Sequence, residues 1–162
     1  MVNRAVSSLK DNAGVGFPPP FVYLGFLLLG LVADRVLPWT LQGGAGWPWW
    51  TAGSVIAIIG MGVVLTGTRL FDELGNNVPP WLPATVLVTG GVYRFTRNPM
   101  YLGAAFTYFG LAIAFRSLGA LALLAVVILV IRTQVIAREE RYLTAKFGDD
   151  YVRYMREVRR WF

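Results

Sequence analysis

The stretch PMYLGAAFTYFGLAIAF at 99–115, followed by RS at 116–117 and LGALALLAVVILVIRTQVI at 118–136, decides the fold. Two apolar runs separated by one polar dipeptide describe an antiparallel helical hairpin closed at Arg116 and Ser117. Each run approaches the roughly 20 residues that an α-helix needs to cross a bilayer's hydrocarbon core. A helix suits that medium because it satisfies its own backbone polar groups. Immediately upstream, Gly90-Gly91-Val92-Tyr93-Arg94-Phe95-Thr96-Arg97-Asn98 sets a turn-forming polar segment against the start of the first run. This reads as a ligand site at a membrane surface.

Further from the hairpin, two more runs have the same character. One covers about Phe21 to Leu37, entered through Pro18-Pro19-Pro20 and closed by Asp34, Arg35 and Pro38. The other covers about Trp49 to Leu70, entered through Trp47-Pro48-Trp49-Trp50, an indole cluster suited to the headgroup layer. The chain of 162 residues is 56% hydrophobic, above the roughly 45–50% of soluble domains, and its mean hydropathy is +0.54. The sequence therefore predicts an all-α integral-membrane protein with four transmembrane helices, at about 21–37, 49–70, 99–115 and 118–136. A cytoplasmic N-terminal arm at 1–20 precedes a single domain over 21–162, which ends in a cytoplasmic amphipathic helical tail at 137–162. The first twenty residues have no apolar core of their own, so they read as an interfacial arm rather than a signal peptide. Buried helices of a soluble bundle are the alternative, disfavoured by the length and apolarity of the runs.

Thirteen of the fifteen Lys and Arg fall on one side of these spans, leaving only Arg35 and Arg116 on the other. By the positive-inside rule both termini and the central loop face the cytoplasm, which for a bacterial chain places it in the inner membrane. Cys and His are both absent. A thiolate nucleophile, a His base and a His- or Cys-based metal site are thereby excluded, and no metal site is expected.

The tail sets Arg138, Glu139, Glu140, Arg141, Lys146, Asp149, Asp150, Arg153 and Arg156 among Tyr142, Leu143, Phe147, Tyr151, Val152 and Tyr154. Phe147-Gly148-Asp149 marks the end of one helix and the start of another. A basic amphipathic helix of this kind can lie on anionic lipid. Its carboxylates can equally face a site, and Glu139 and Glu140 stand at the end of the fourth apolar run. One of the two is expected to pair with Arg138 or Arg141 as a solvated helix-end charge. Arg132 lies inside the fourth run, where a charge costs about 2.5–3.5 kcal/mol on insertion scales, so it either faces a polar cavity or snorkels. It precedes Glu139 by seven positions, which on a regular α-helix puts both on one stripe.

Leu87-Val88-Thr89-Gly90-Gly91-Val92-Tyr93, then Arg97-Asn98-Pro99-Met100-Tyr101-Leu102-Gly103, then Glu139-Glu140 with Phe147-Gly148 and Tyr151 to Tyr154, resemble the signature of the isoprenylcysteine carboxyl methyltransferase family. The related phospholipid N-methyltransferases share much of it, and the likeness runs from about Phe71 to Arg160. The resemblance implies an integral-membrane enzyme that holds S-adenosylmethionine between the cytoplasmic ends of the last two helices and the tail. Carried over by position, the cofactor-binding residues are Leu87 and Val88 through their backbone, Tyr93, Asn98, Pro99, Met100, Tyr101 and Glu139. Such a donor carries a cationic amino group, a carboxylate, ribose hydroxyls and an adenine. Glu139 can meet the ammonium, Tyr93 or Tyr101 can wall the adenine, and the N–H groups after Pro99 can meet the carboxylate, with Arg94 or Arg97 as a possible partner.

The chain departs from the eukaryotic pattern at two positions. Asn98 stands where those enzymes carry His, and its amide still donates and accepts. Val135 stands four residues before Glu139, where they carry an Arg suited to a substrate carboxylate. Arg132, one turn away, is the expected substitute and the expected catalytic residue. The predicted chemistry is direct methyl transfer to a lipophilic or lipidated acceptor drawn from the bilayer, with membrane lipid and no nucleic acid as partners. A carboxylate nucleophile needs desolvation and alignment but no base, which favours carboxyl O-methylation in a chain without His. Phospholipid N-methylation, thiol S-methylation and a noncatalytic scaffold remain the alternatives.

Overall fold

The computed structural model describes residues 11–37 and 46–161. The expected positions of Arg4 and Lys10 on the cytoplasmic side, and of Pro38 after the first helix, lie outside the described residues. The chain forms α1 (Pro19–Val36), α2 (Trp47–Glu73), a 3₁₀ turn at Gly91–Arg94, α3 (Pro99–Ala114), α4 (Leu118–Val130), a π-helical turn at Ile131–Ile136, α5 (Ala137–Phe147) and α6 (Asp149–Glu157). Helices α1, α2 and α3 each carry proline in the first turn, where a missing N–H removes no helical bond. Ser117 caps α4 by accepting from the Ala120 N–H at 2.9 Å.

Among the described residues, three helices are long and apolar enough to cross a membrane: α1, α2 and the continuous helix from Leu118 to Phe147. That is one fewer than the sequence reading expects. Helix α3 has 16 residues, about 24 Å of rise against a core of roughly 30 Å. It is nonetheless the centre of the bundle, packed on α2 along one side and on α1 and α4 along the other. The α2 contact is a backbone contact. A Cβ added at Gly60 would lie 2.5 Å from the Thr107 nitrogen and 2.6 Å from the Gly103 oxygen, so only glycine permits this approach. On the other side the buried Tyr108 hydroxyl donates to the Ala120 carbonyl at 2.9 Å, and the Tyr23 hydroxyl donates to the Tyr101 carbonyl at 2.9 Å. Outer faces of α1 and α2 expose Leu28, Leu29, Val32, Val55, Ile58 and Ile59, a surface suited to lipid.

The helix break expected at Gly148 is present, with φ +55° at that glycine. The destination of the tail differs from a helix resting on lipid. Tyr151 and Tyr154 of α6 turn inward and join Val88 and Tyr93 in a buried cluster. Beyond α6 the chain returns along the segment before α3: Arg97 N donates to Arg159 O at 3.0 Å, and Thr96 Oγ1 and Asn98 Nδ2 both donate to Arg160 O, at 2.9 and 3.0 Å. Residues 11–15 cross the same end of the molecule, where Ala13 N donates to Pro80 O at 3.3 Å, Arg138 Nη1 donates to Gly14 O at 2.9 Å and Val15 is buried.

The stripe joining Arg132 to Glu139 is not observed. The π-helical turn between them holds more residues per turn than an α-helix, so a seven-residue separation no longer returns to one face. Ile131, Val135 and Ile136 take the buried side, and Arg132 is exposed.

Candidate functional site

At the end of the bundle where α3 begins and α5 starts, the elements enclose a cavity of about 820 Å³, counted with its open mouth. One wall is the segment from Asn76 to Val88, whose shape is set by Asn76. Its side chain donates to Val86 O at 3.0 Å and accepts from Thr85 N at 2.8 Å and from Asn77 N at 3.0 Å. The opposite wall is the start of α3 with α5 and α6, contributing Asn98, Met100, Tyr101, Glu139, Leu143, Tyr151 and Tyr154. Tyr142 links the rim: its hydroxyl donates to Asp11 Oδ1 at 2.9 Å and accepts from Ala84 N at 3.0 Å. Asp11 also pairs with Lys146 at 2.8 Å, and these two partners hold its carboxyl below the usual carboxylate range.

Seven of the eight expected cofactor-binding residues line this cavity: Leu87, Val88, Tyr93, Asn98, Met100, Tyr101 and Glu139. Pro99 is buried behind them as the first residue of α3. The two segments that sequence reasoning set side by side, 87–101 and the start of α5, are therefore brought together. Arg132 lies outside the lining, and so does the exposed Arg94.

Glu139 accepts from the Tyr101 hydroxyl at 2.5 Å and, among the described residues, has no cationic partner. Its neighbour Glu140 is placed differently. Glu140 pairs with Arg97 Nη2 at 3.2 Å and takes both Arg160 Nε, at 3.0 Å, and Arg160 Nη2. The expected pairing of one of the two glutamates with Arg138 or Arg141 does not form. Those arginines bond Gly14 O and Gln134, and Ala137 O, respectively. Sequence reasoning missed Arg160 because it lies twenty residues from Glu140 along an irregular tail; the signal was the basic run Arg159-Arg160 next to Trp161.

Among the described residues, three buried side-chain polar atoms lack a hydrogen-bond partner, and all belong to residues lining the cavity: the Tyr93 hydroxyl and Arg97 Nε and Nη1. Buried polar groups are otherwise almost always bonded, so these point to a ligand. Burial raises the Tyr93 phenol, helped by the charge of Glu139, and burial also raises Tyr151 and Tyr154. These three hydroxyls are neutral donors at physiological pH. At the start of α3, Asn98 makes no side-chain cap and its Nδ2 donates to Arg160 O, so the first N–H groups of the helix have no side-chain acceptor there.

Helical throughout its regular structure among the described residues, with three helices long and apolar enough to cross a membrane, the chain is an integral-membrane protein with a cavity at one end of its bundle. Residues 49–150 match the family model described as phospholipid methyltransferase, and the chain belongs to that family of membrane methyltransferases. A segment of 73 residues, 45% of the chain, is 33% identical to a Protein-S-isoprenylcysteine O-methyltransferase of Schizosaccharomyces pombe, covering 31% of that enzyme. A segment of 34 residues, 21% of the chain, is 65% identical to an uncharacterized protein of Haemophilus influenzae, covering 54% of it. The chain thus matches about half or less of the length of these relatives. No solved structure matches it.

Proposed function

We propose that this protein is an S-adenosylmethionine-dependent methyltransferase of the membrane, acting on a lipophilic acceptor that presents a carboxylate of the isoprenylcysteine type. The observation that carries the donor assignment is Glu139, a carboxylate inside the cavity with a hydroxyl partner and no cation. A partly buried carboxylate in that state calls for a cationic ligand, and an amino-acid ammonium group supplies one. In this reading Glu139 holds the ammonium, oriented by Tyr101. The uncapped N–H groups of Met100 and Tyr101, behind Pro99 and Asn98, face the donor carboxylate. Leu87 and Val88 offer backbone groups and the Tyr93 hydroxyl donates to a ribose or ring acceptor. When bound, the cofactor supplies an electrophilic methyl carbon.

The chain's own part is then to position, desolvate and leave protons alone. Val88, Leu143, Phe147, Tyr151 and Tyr154 form the apolar cluster that keeps water from the reacting end. No phenolate is available from Tyr93, Tyr151 or Tyr154, and the chain has no His. An acceptor already anionic at neutral pH suits such a site, since alignment alone brings its oxygen to the methyl group. Phospholipid N-methylation is the second reading, favoured by the description of the family. It requires an amine to lose its proton, which only Glu139 or water is placed to take.

The membrane arrangement follows the same proposal. Both termini and the cavity lie on the cytoplasmic side, where the donor is dissolved, with α3 completing a fourth crossing inside the bundle. Arg132, on the exposed side of the π-helical turn, reaches the headgroup layer and stands outside the catalytic set. The test is transfer of label from S-adenosylmethionine to prenylcysteine, phosphatidylethanolamine and thiol acceptors by the purified protein in lipid. Transfer to the prenylcysteine carboxylate is expected. A protein that neither binds the donor nor labels any acceptor would remove the proposal.

A further inference from the structure

Arg97 is the unexplained charge in the cavity. Its side chain is 11% exposed, one terminal nitrogen pairs with Glu140, and Nε and Nη1 are buried without a partner. A guanidinium is strongly hydrated by its donors in water, so burying two of its nitrogens unbonded is costly unless something is meant to meet them. What meets them must be an oxygen acceptor, and a charged one recovers the most.

Charge balance narrows the choice. Glu140 lies between Arg97 and Arg160, and Glu139 becomes ionised when an ammonium group lies against it, so in the bound state the four side chains sum to zero. On the reading of the site as a methyl-donor pocket, a sulfonium amino acid brings two positive charges and one negative, a net +1. The uncapped start of α3 and Glu139 already answer its carboxylate and ammonium. The remaining donors of Arg97 then balance one further negative charge. We infer that Arg97 receives an anionic group of the methyl acceptor, a single carboxylate or phosphodiester, and so sets acceptor specificity. This resting point on the donor-pocket reading supplies what Val135 and the outward-facing Arg132 do not, a cation inside the cavity for the substrate's anion.

The arrangement explains why Arg97 is held on both sides. Its backbone N–H is fixed by Arg159 O and its Nη2 by Glu140, which Arg160 grips in turn. Two residues of the returning C-terminal segment therefore hold the arginine with its other nitrogens free. Fixing a long side chain before the ligand arrives lowers the entropy lost on binding.

The experiment uses the full chain in lipid nanodiscs as wild type, Arg97→Gln and Arg97→Lys, with binding measured directly so that turnover is not needed. Acceptor analogues are paired to differ in one charge: N-acetyl-S-farnesylcysteine against its carboxamide, and dioleoylphosphatidylmethanol against dioleoylglycerol. The wild type is expected to prefer the anionic member of one pair by about tenfold or more. The pair showing the preference identifies carboxylate or phosphodiester as the source. Arg97→Gln is expected to abolish the preference, and Arg97→Lys, which keeps the charge opposite Glu140 if the glutamine variant fails to fold, to reduce it severalfold. Affinity for S-adenosylmethionine is expected to stay within about twofold in both. An anion preference unchanged in both variants overturns the inference. It is equally overturned if Arg97→Gln or Arg97→Lys removes the preference for S-adenosylmethionine over its decarboxylated analogue, which would assign Arg97 to the donor. A wild type that shows the anion preference but binds no S-adenosylmethionine supports Arg97 as an anion receptor while rejecting the donor reading.

Discussion

Glu139 and Glu140 are adjacent in the chain and have opposite surroundings, one facing a hydroxyl inside the cavity and the other clamped between two arginines. Their substitutions should therefore separate binding from stability. Glu139→Ala is expected to weaken S-adenosylmethionine binding by about 1.5–3 kcal/mol, the scale of a hydrogen bond to a charged group, with little change in thermal unfolding. Calorimetry on the folded variant checks it, and equal affinity would take Glu139 out of the donor site. Glu140→Ala strands Arg97 at 11% exposure and frees Arg160. A loss of about 3 kcal/mol in stability is expected, at the low end for breaking a buried pair because Arg160 is partly exposed. Denaturant unfolding in mild detergent measures it, and a shift no larger than that of Arg153→Ala, whose pair with Asp150 is exposed, would count against the clamp. At this scale the sequence named residues that the fold brings together: Tyr93, Asn98, Tyr101 and Glu139 all line one cavity. It was silent on Asn76, Tyr142 and Arg160, whose roles depend on hydrogen bonds across 9 to 131 residues of separation or on an ion pair spanning an irregular tail.

Among the elements, the α2–α3 pair shows how little of a packing surface hydropathy can reveal. The apolar runs announced both helices, but the close approach depends on Gly60 and Gly103, whereas Gly62, two positions away, faces open space. Gly60→Leu is expected to cost about 3 kcal/mol through forced separation of the helices, while Gly62→Leu changes stability by less than about 0.5 kcal/mol. Thermal unfolding of the two variants side by side tests the contact, and equal midpoints would contradict it. The helix from Leu118 to Phe147 teaches a related lesson. Its apolar part at 118–136 was legible but its continuation to Phe147 was not, and the π-helical turn at Ile131–Ile136 leaves no mark in an apolar pattern. That turn exposes Arg132 and buries Val135, so the regular-helix projection that set Arg132 and Glu139 on one stripe fails here. Gly148, by contrast, was readable because a glycine between a charged helix and an Asp-Asp start has few other uses, and its φ of +55° matches that reading.

For the molecule as a whole, the depth of α3 fixes the side on which every later element lies. Length alone argues for three crossings, since α3 rises only about 24 Å. Packing argues for four. Gly53 of α2 meets Ala114 at the end of α3, Gly67 meets Met100 at its start, and the turn at 115–117 lies beside Asp34 at the far end of α1, where Asp34 Oδ1 accepts from Gly119 N at 2.9 Å. A short helix enclosed by longer ones can cross where the hydrocarbon meets protein rather than lipid, its ends covered by neighbours. The absence of cysteine makes the question simple to ask, because any introduced thiol is the only one present. Phe95→Cys before α3 and Asp149→Cys after α5, both at exposed positions, are to be labelled with a membrane-impermeant maleimide in vesicles of each orientation, with Gly46→Cys at the start of α2 as the opposite-side reporter. If α3 and α4 cross as a pair, Phe95→Cys and Asp149→Cys react from the same face, the cytoplasmic one, and Gly46→Cys reacts from the other. If α3 is re-entrant and only three helices cross, Phe95→Cys and Asp149→Cys react from opposite faces, and a cavity built from both segments could not exist. The cavity walls at Tyr93 and Tyr154 are joined by a 2.7 Å hydrogen bond from the Tyr154 hydroxyl to Tyr93 O, so labelling from the same face is the expected result.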